Sequence, residues 1–386
     1  MAANPLVPLY GRSALSDLAP SLLASLGLSG YPNLLGIPEA GGVCLLLVDG
    51  LGFELVRENR RHAPFLAELL DQGSSLTAGF PSSTAVSIAS IGTGKTPGEH
   101  GIVGYTMGVP GQDRAMNNLR WALHGAGPHV DLRDVIVPED LQPDPTAFQR
   151  AEDGGVHAFI VGPREHMSSG LTRAALRGAQ YRPVFSMGDL AAETVAALRG
   201  AGRNFVYSYH PDLDMTGHVR GVDSHAWRLQ LGLVDRLVLA LAERLPKDSN
   251  LFITGDHGMV DVPPDRRIDF DREPALQQGV RLLAGEPRAR HVYTRAGAAT
   301  EVLAAWRERL GDEMWVVGRE DAIERGWFGP TVTDAARGRI GDVIAAAHGP
   351  VGVVQPSVLS IEAMLIGHHG SLTAGEQLVP LLVVEG

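Results

Sequence analysis

The stretch VCLLLVDG, residues 43–50, decides the fold. An unbroken apolar run from Val43 to Val48 stops at Asp49-Gly50. A strand that is apolar on both faces belongs inside a mostly parallel sheet covered by helices on each side. Such sheets bind ligands at the carboxyl ends of their strands, which is where Asp49 falls. Asp-Gly is also a common turn pair, so taken alone Asp49 reads more readily as a turn residue than as a ligand.

The same grammar extends in both directions. Upstream, residues 13–27 carry Leu18, Leu22, Leu23 and Leu26 on one face, the spacing of a helix packed on a core. Downstream, 53–72 read as helix broken near Pro64, and 74–79 as a strand. Next comes FPSSTAVSIASIGTGKTPGEHGIVGY, residues 80–105. Its polar turn, Pro81 to Thr84, opens an apolar run of helical spacing that ends at Gly92 and Gly94. Thr84 therefore falls at a helix N-terminus, where free N–H groups and the helix dipole attract an anion. A hydroxyl there is either a cap or a nucleophile.

Further strands are expected at 156–161, 204–209, 251–254 and 379–384, with helices at 170–178, 187–200 and 222–244. Residues 291–327 read strand, helix, strand, helix. The expected fold class is α/β: a mostly parallel central sheet with helices on both faces, in a single domain over 1–386. Within it, 106–185 form a loop-rich pocket region and 262–330 a small α/β insertion.

Composition narrows the function. Net charge is -11, which disfavours a broad basic face for a nucleic-acid polymer. A small anionic substrate would then need a local source of positive charge. A single cysteine, Cys44, excludes an intrachain disulfide framework and a Cys-rich zinc site. The segment MAANPLVPLYGRSALSD shows no basic stretch followed by an apolar core, and no apolar run approaches the length of a membrane span. The expected location is cytoplasmic, with no membrane partner; the sequence leaves the oligomeric state open.

Four expected strand ends deposit polar residues: Asp49, Asp214 with His218, Asp256 with His257, and His368-His369. Asp214 and His218 share a side if their turn is helical. Adjacent charge and imidazole at a strand end are hard to bury without a partner. Together, these carboxylates and imidazoles suit two divalent ions with oxygen and nitrogen ligands. Two such ions clamp the attacking and leaving oxygens of an in-line phosphoryl displacement. A metal beside Thr84 would also activate its hydroxyl.

The order VDG, PSST, D-x-x-G-H, DHGM, HHG resembles the alkaline phosphatase superfamily, and within it the type I phosphodiesterase/nucleotide pyrophosphatase branch. The resemblance runs from about Val43 to Pro380. It implies that Asp49, Thr84, Asp256 and His257 hold the ion activating the nucleophile Thr84. Asp214, His218 and His369 then hold a second ion, which activates water for the second step. His369 is chosen over His368 because it directly precedes glycine, and Asp214 over Asp212 because of its spacing to His218. The resemblance implies zinc, with manganese as the alternative used by related mutases. The implied activity is hydrolysis of a small phosphorylated substrate, as a phosphodiesterase or nucleotide pyrophosphatase, through a phosphothreonine. Phosphomonoesterase and phosphonate hydrolase activities of the same superfamily, and a non-catalytic metal-binding scaffold, are the alternatives. One departure stands out. Where the branch commonly continues His-Gly-Ile-Val-Gly-Asn, this chain has Tyr105, whose phenol either contacts a phosphoryl oxygen or packs.

Two other motifs carry less. Ala89 to Thr96 fits a relaxed phosphate-loop pattern, but a helical pattern precedes it and Pro97-Gly98 follows. A sulfatase would need a Cys or Ser at the position that Thr84 occupies, and Cys44 lies before the first metal Asp instead.

Overall fold

Strand β1, Gly42–Val48, is buried along its whole length. Val43, Leu45 and Leu47 enter one apolar core, and Cys44, Leu46 and Val48 enter another. This alternation follows from the period of two in a strand, and it means that both faces of the sheet are covered. The computed structural model describes residues 4–386.

The other strands of this sheet, in chain order, are β2 (Ser74–Thr77), β3 (Val156–Pro163), β4 (Gln180–Val184), β5 (Arg203–His210), β6 (Ser249–Gly255) and β7 (Leu378–Glu385). Their spatial order is β2-β7-β6-β1-β5-β3-β4. Pairings among β6, β1, β5, β3 and β4 are parallel. Only β7 runs against the rest, antiparallel to both β6 and β2. The sheet is thus mostly parallel, as its apolar strands require. One face is packed by helices including Leu18–Ser25 and Thr84–Thr93, the other by helices including Pro64–Gln72 and His225–Ala242. In Pro64–Gln72 the proline takes the first helical position, where its missing N–H costs nothing.

A strand in each of the two larger sheets went unread in the sequence. Strand β4, with its central Arg182-Pro183, has no apolar alternation because it is a half-exposed edge. The segment Val280–Glu286 lies in a stretch that reads as Pro-, Asp- and Arg-rich loop, yet it pairs antiparallel with Ala289–Thr294. These two, with Met314–Gly318 and Val343–Ala347, make a four-stranded antiparallel sheet with its own apolar core. Its fourth strand lies beyond residue 330 in the chain.

The helix Thr84–Thr93 is buried at every residue. It lies so close to the helix Gly170–Ala175 that a Cβ on Gly92 would sit 2.1 Å from the Ala175 carbonyl oxygen. Any larger residue at 92 would push the two helices apart. Among the described residues, no helix is long and apolar enough to cross a membrane.

Candidate active site and metal centre

The strand ends converge as parallel topology dictates. Asp49 follows β1, the helix Asp212–Arg220 follows β5, and Asp256-His257 follows β6. Gly50 turns the chain with φ +74° and donates its N–H to Asp256 Oδ1 at 2.9 Å, tying the Asp49 and Asp256 loops together. The Asp212–Arg220 helix puts Asp214 and His218 on one side, with His218 Nε2 3.3 Å from Asp214 Oδ2. His369 comes from further away, just past the short strand Gly367–His368, which pairs with Val260–Asp261.

Around these carboxylates the histidines are held in a common way. His218 Nδ1 faces the Gly367 carbonyl at 2.8 Å, His257 Nδ1 the Gly258 carbonyl at 3.0 Å, and His369 Nδ1 the Ser82 carbonyl at 2.8 Å. A carbonyl only accepts, so each Nδ1 carries a proton, and in the neutral imidazole each Nε2 then keeps a lone pair directed inward. This is how metal-ligating histidines are oriented by their surroundings. His257 Nε2 stands 3.4 Å from Asp49 Oδ1 and 3.5 Å from Asp256 Oδ2. His369 Nε2 stands 3.9 Å from Asp214 Oδ1, and its ring stacks on His257 with centroids 3.5 Å apart.

The carboxylates are short of partners. Asp49 Oδ1, Asp214 Oδ1 and Asp256 Oδ2 are all buried without a hydrogen bond. Burial raises the Asp49 carboxyl well above its ordinary range, and the charges of Asp256 and Asp214 add to the rise. Burial also raises Asp214, against the pull of His218 and His257. It drives the His369 imidazole well below its usual value, with His257 and His218 adding to the effect. Buried oxygens of like charge, facing inward lone pairs of neutral imidazoles, are what divalent ions with mixed oxygen and nitrogen coordination require. Two compact donor groups meet this description: Asp49, Asp256 and His257, and Asp214, His257 and His369. His257 belongs to both, whereas the resemblance assigns it only to the first. His218 stands beside the second group through Asp214.

Thr84 is the first residue of its helix, and Ser83 occupies the cap position without a side-chain capping bond. Thr84 Oγ1 turns away from the helix to His257 Nε2, at 3.2 Å. It therefore does not cap the helix. Asp49, Thr84, Asp214, His218 and His369 line one end of a cavity of about 450 Å³. Tyr105 lines it too, with its phenol facing Asn117 and its pKa raised by burial.

Further residues join the site that sequence reasoning passed over. Tyr209, near the end of β5, donates its phenol proton to Asp49 Oδ2. Its signal was the pair Tyr207 and Tyr209, two apart on a strand running into the site. Glu286 is buried in the cavity wall with neither oxygen hydrogen-bonded, and burial pushes its carboxyl up to about 8. Its place at the end of an unread strand, between Gly285 and Pro287, made it look like a turn residue.

The loop bearing His369 is fixed by a buried ion pair. Arg288 Nε and Nη2 donate to the two Glu376 oxygens at 2.7 and 2.8 Å, and both side chains are almost wholly enclosed. Arg288 Nη1 also donates to the Gly349 and Val351 carbonyls, while Glu376 Oε1 accepts the Ser371 N–H. Removing one partner strands a buried charge. Glu376→Ala should therefore cost about 3–5 kcal/mol in denaturant unfolding. The apolar pair Arg288→Met/Glu376→Leu should recover most of that loss. If the single and double variants lose equal stability, desolvated charge is not what the pair controls.

The family model described as "Type I phosphodiesterase / nucleotide pyrophosphatase" matches residues 43–372. No curated protein matches the chain. Among solved structures, murine ectonucleotide pyrophosphatase/phosphodiesterase 5 shares 18% identity over 89% of this chain and 88% of its own, with a TM-score of 0.67. An inactive threonine-to-alanine variant of that murine protein, in complex with AMP, shares 18% identity over 88% and 87%, with a TM-score of 0.66. Phosphonoacetate hydrolase from Sinorhizobium meliloti 1021, in complex with phosphonoformate, shares 18% identity over 90% of each chain, with a TM-score of 0.66. At these identities the likeness is one of fold.

Proposed function

Because the chain belongs to the type I phosphodiesterase/nucleotide pyrophosphatase family, a family of metal-dependent phosphoester hydrolases, we propose that it cleaves a small phosphodiester through a covalent intermediate on Thr84. The observation that carries this is the turn of Thr84 Oγ1 away from its helix and into the cluster of inward-facing carboxylates and imidazoles, 3.2 Å from His257 Nε2.

Two divalent ions fit the donors, one among Asp49, Thr84, Asp256 and His257, the other among Asp214, His218 and His369, with His257 near both. Bound there, they supply positive charge that makes the Thr84 hydroxyl easier to deprotonate and offsets charge on the phosphoryl group. Mixed oxygen and nitrogen donors favour zinc. Tyr209 holds Asp49 in place through its phenol, and three carbonyls fix the imidazole rings.

The first turn of the Thr84 helix has no capping side chain, and its Ser83 and Thr84 line the same cavity. It would hold two phosphoryl oxygens and align phosphorus with Oγ1. Thr84 Oγ1 then bonds to phosphorus as the bond to the leaving oxygen breaks. The hydroxyl proton is released, and the departing alkoxide takes one up. Water attacks the phosphothreonine from the opposite side, and Thr84 recovers its hydroxyl. The substrate classes open to this chemistry include the nucleotides seen with the murine relative.

The test is to quench the enzyme in acid during turnover of a nitrophenyl phosphodiester and map the adduct by mass spectrometry. A mass increase on the peptide containing Thr84 is expected. A burst of nitrophenol with the adduct on another residue would remove Thr84 from the mechanism.

A further inference from the structure

Beyond the phosphoryl end, the cavity is walled by hydrocarbon. Its lining includes Ile88, Ile160, Leu171 and Leu176, and also Met215, Val219, Ile361 and Leu365. Ile88 lies four residues after Thr84, so this wall begins one helical turn from the reacting hydroxyl. At the mouth, Met215 is 61% exposed and Ile361 50% exposed. Both are large apolar groups held in water beside the opening, and Met215 shares its helix with Asp214 and His218.

Several polar side chains in these walls are committed to the protein, while Glu286, beside His369, keeps both oxygens unbonded. Ser169 Oγ donates to Thr172 Oγ1 at 3.0 Å, and Thr172 Oγ1 to the His166 carbonyl at 2.7 Å. Tyr181 Oη donates to the Pro163 carbonyl at 2.7 Å. Asn117 Oδ1 accepts the N–H groups of Leu119 and Arg120, each at 3.0 Å. Glu362 is paired with buried Arg290 at 2.7 Å. Tyr207 Oη is buried without a partner, enough for one ester or ether oxygen. A nucleobase and ribose would need several free donors and acceptors together.

Charge argues the same way. Among the described residues, Arg120 is the only Lys or Arg lining the cavity. The second phosphate of a nucleotide pyrophosphate would enter this space with little to balance it, at the cost of desolvating a charge. An uncharged hydrocarbon chain would instead gain by leaving water.

Resting on the phosphodiesterase reading above, we infer that the substrate is an amphiphilic phosphodiester, whose phosphoryl group sits at Thr84 and whose alkyl chain fills the apolar half of the cavity.

The test uses the metal-loaded enzyme with 4-nitrophenyl methyl, butyl and hexyl phosphates, each below its micellar threshold, and with a nucleotide pyrophosphate. We expect kcat/KM to rise roughly two- to fourfold per added methylene, mainly through KM, and to exceed that of the nucleotide. The hexyl-to-methyl ratio should fall toward one in Leu171→Trp, which fills the cavity, and in Met215→Asp, a change at an exposed position that the fold tolerates. Equal rates along the series, or preference for the nucleotide, would overturn the inference and leave the phosphoester hydrolase standing. If no phosphoester in the set were cleaved, the hydrolase reading itself would fall, and this inference with it.

Discussion

Thr84→Ala should lower phosphodiester turnover by about 10³-fold or more while leaving the melting temperature close to that of the wild type. Loss of a nucleophile in enzymes that form covalent intermediates has effects of this size, with residual rate coming from binding and the electrostatic surroundings. Stability should be spared for reasons visible in the helix. The capping position belongs to Ser83, so no capping bond is lost. The backbone at 84 is helical, and alanine is the best helix former. What disappears is the Oγ1 contact to His257 Nε2 and one methyl group. Thr84→Ser keeps the oxygen and should retain far more activity than Thr84→Ala. Measuring both with metal content matched separates nucleophile from ligand. Should Thr84→Ala keep wild-type kcat, covalent catalysis at this residue is wrong.

Removal of divalent metal is the second large effect. Chelation should abolish turnover and lower the melting temperature by several degrees, and both should return with zinc or manganese. The energetic argument rests on the unpaired oxygens of Asp49, Asp214 and Asp256. Folding brings these carboxyl groups out of water into mutual repulsion, a cost that only a bound cation offsets. An ion held at 1,000 times its dissociation constant stabilises the folded state by about 4 kcal/mol. The unfolded chain offers no such grouped donors, so the whole of that stabilisation is lost with the metal. Asp256→Asn should mimic part of the chelation effect, since Asp256 has no exposure to solvent. Full activity in chelator, with metal shown to be absent, would sink the metal-centred reading.

Much of this was written in the sequence because its period is strict. The run Val43 to Val48 announced a covered central strand, and the strand was found with alternate side chains in two cores. Asp49, Asp214, Asp256 and His257 were legible because each follows an apolar run that could only be a strand. Tyr209 was less visible: a tyrosine in an apolar strand is ordinary, and its hydrogen bond to Asp49 depends on the register of β5 against β1. Glu286 and the wall near Ile361 come from segments with weak patterning, whose positions are set by distant contacts such as Arg290 to Glu362. Local sequence fixes elements; the pocket is made where loops from distant parts of the chain meet, and no local period records that meeting. The substrate end therefore had to be read from the three-dimensional arrangement.

Strand β7 carries a consequence for how the protein is made. It comprises residues 378–385, about 300 residues after β2, yet it lies between β2 and β6 inside the sheet. Strand β2, which leads into the Thr84 helix, has no other neighbour in that sheet. During synthesis about 300 further residues must follow β2 out of the ribosome before it can find its partner. Until then the sheet ends at β6, with an apolar edge open to any passing strand. Thr84 is translated well before the strand that secures its platform. A chain cut before β7 would thus carry Thr84 and the donors gathered around it without the strand that secures β2.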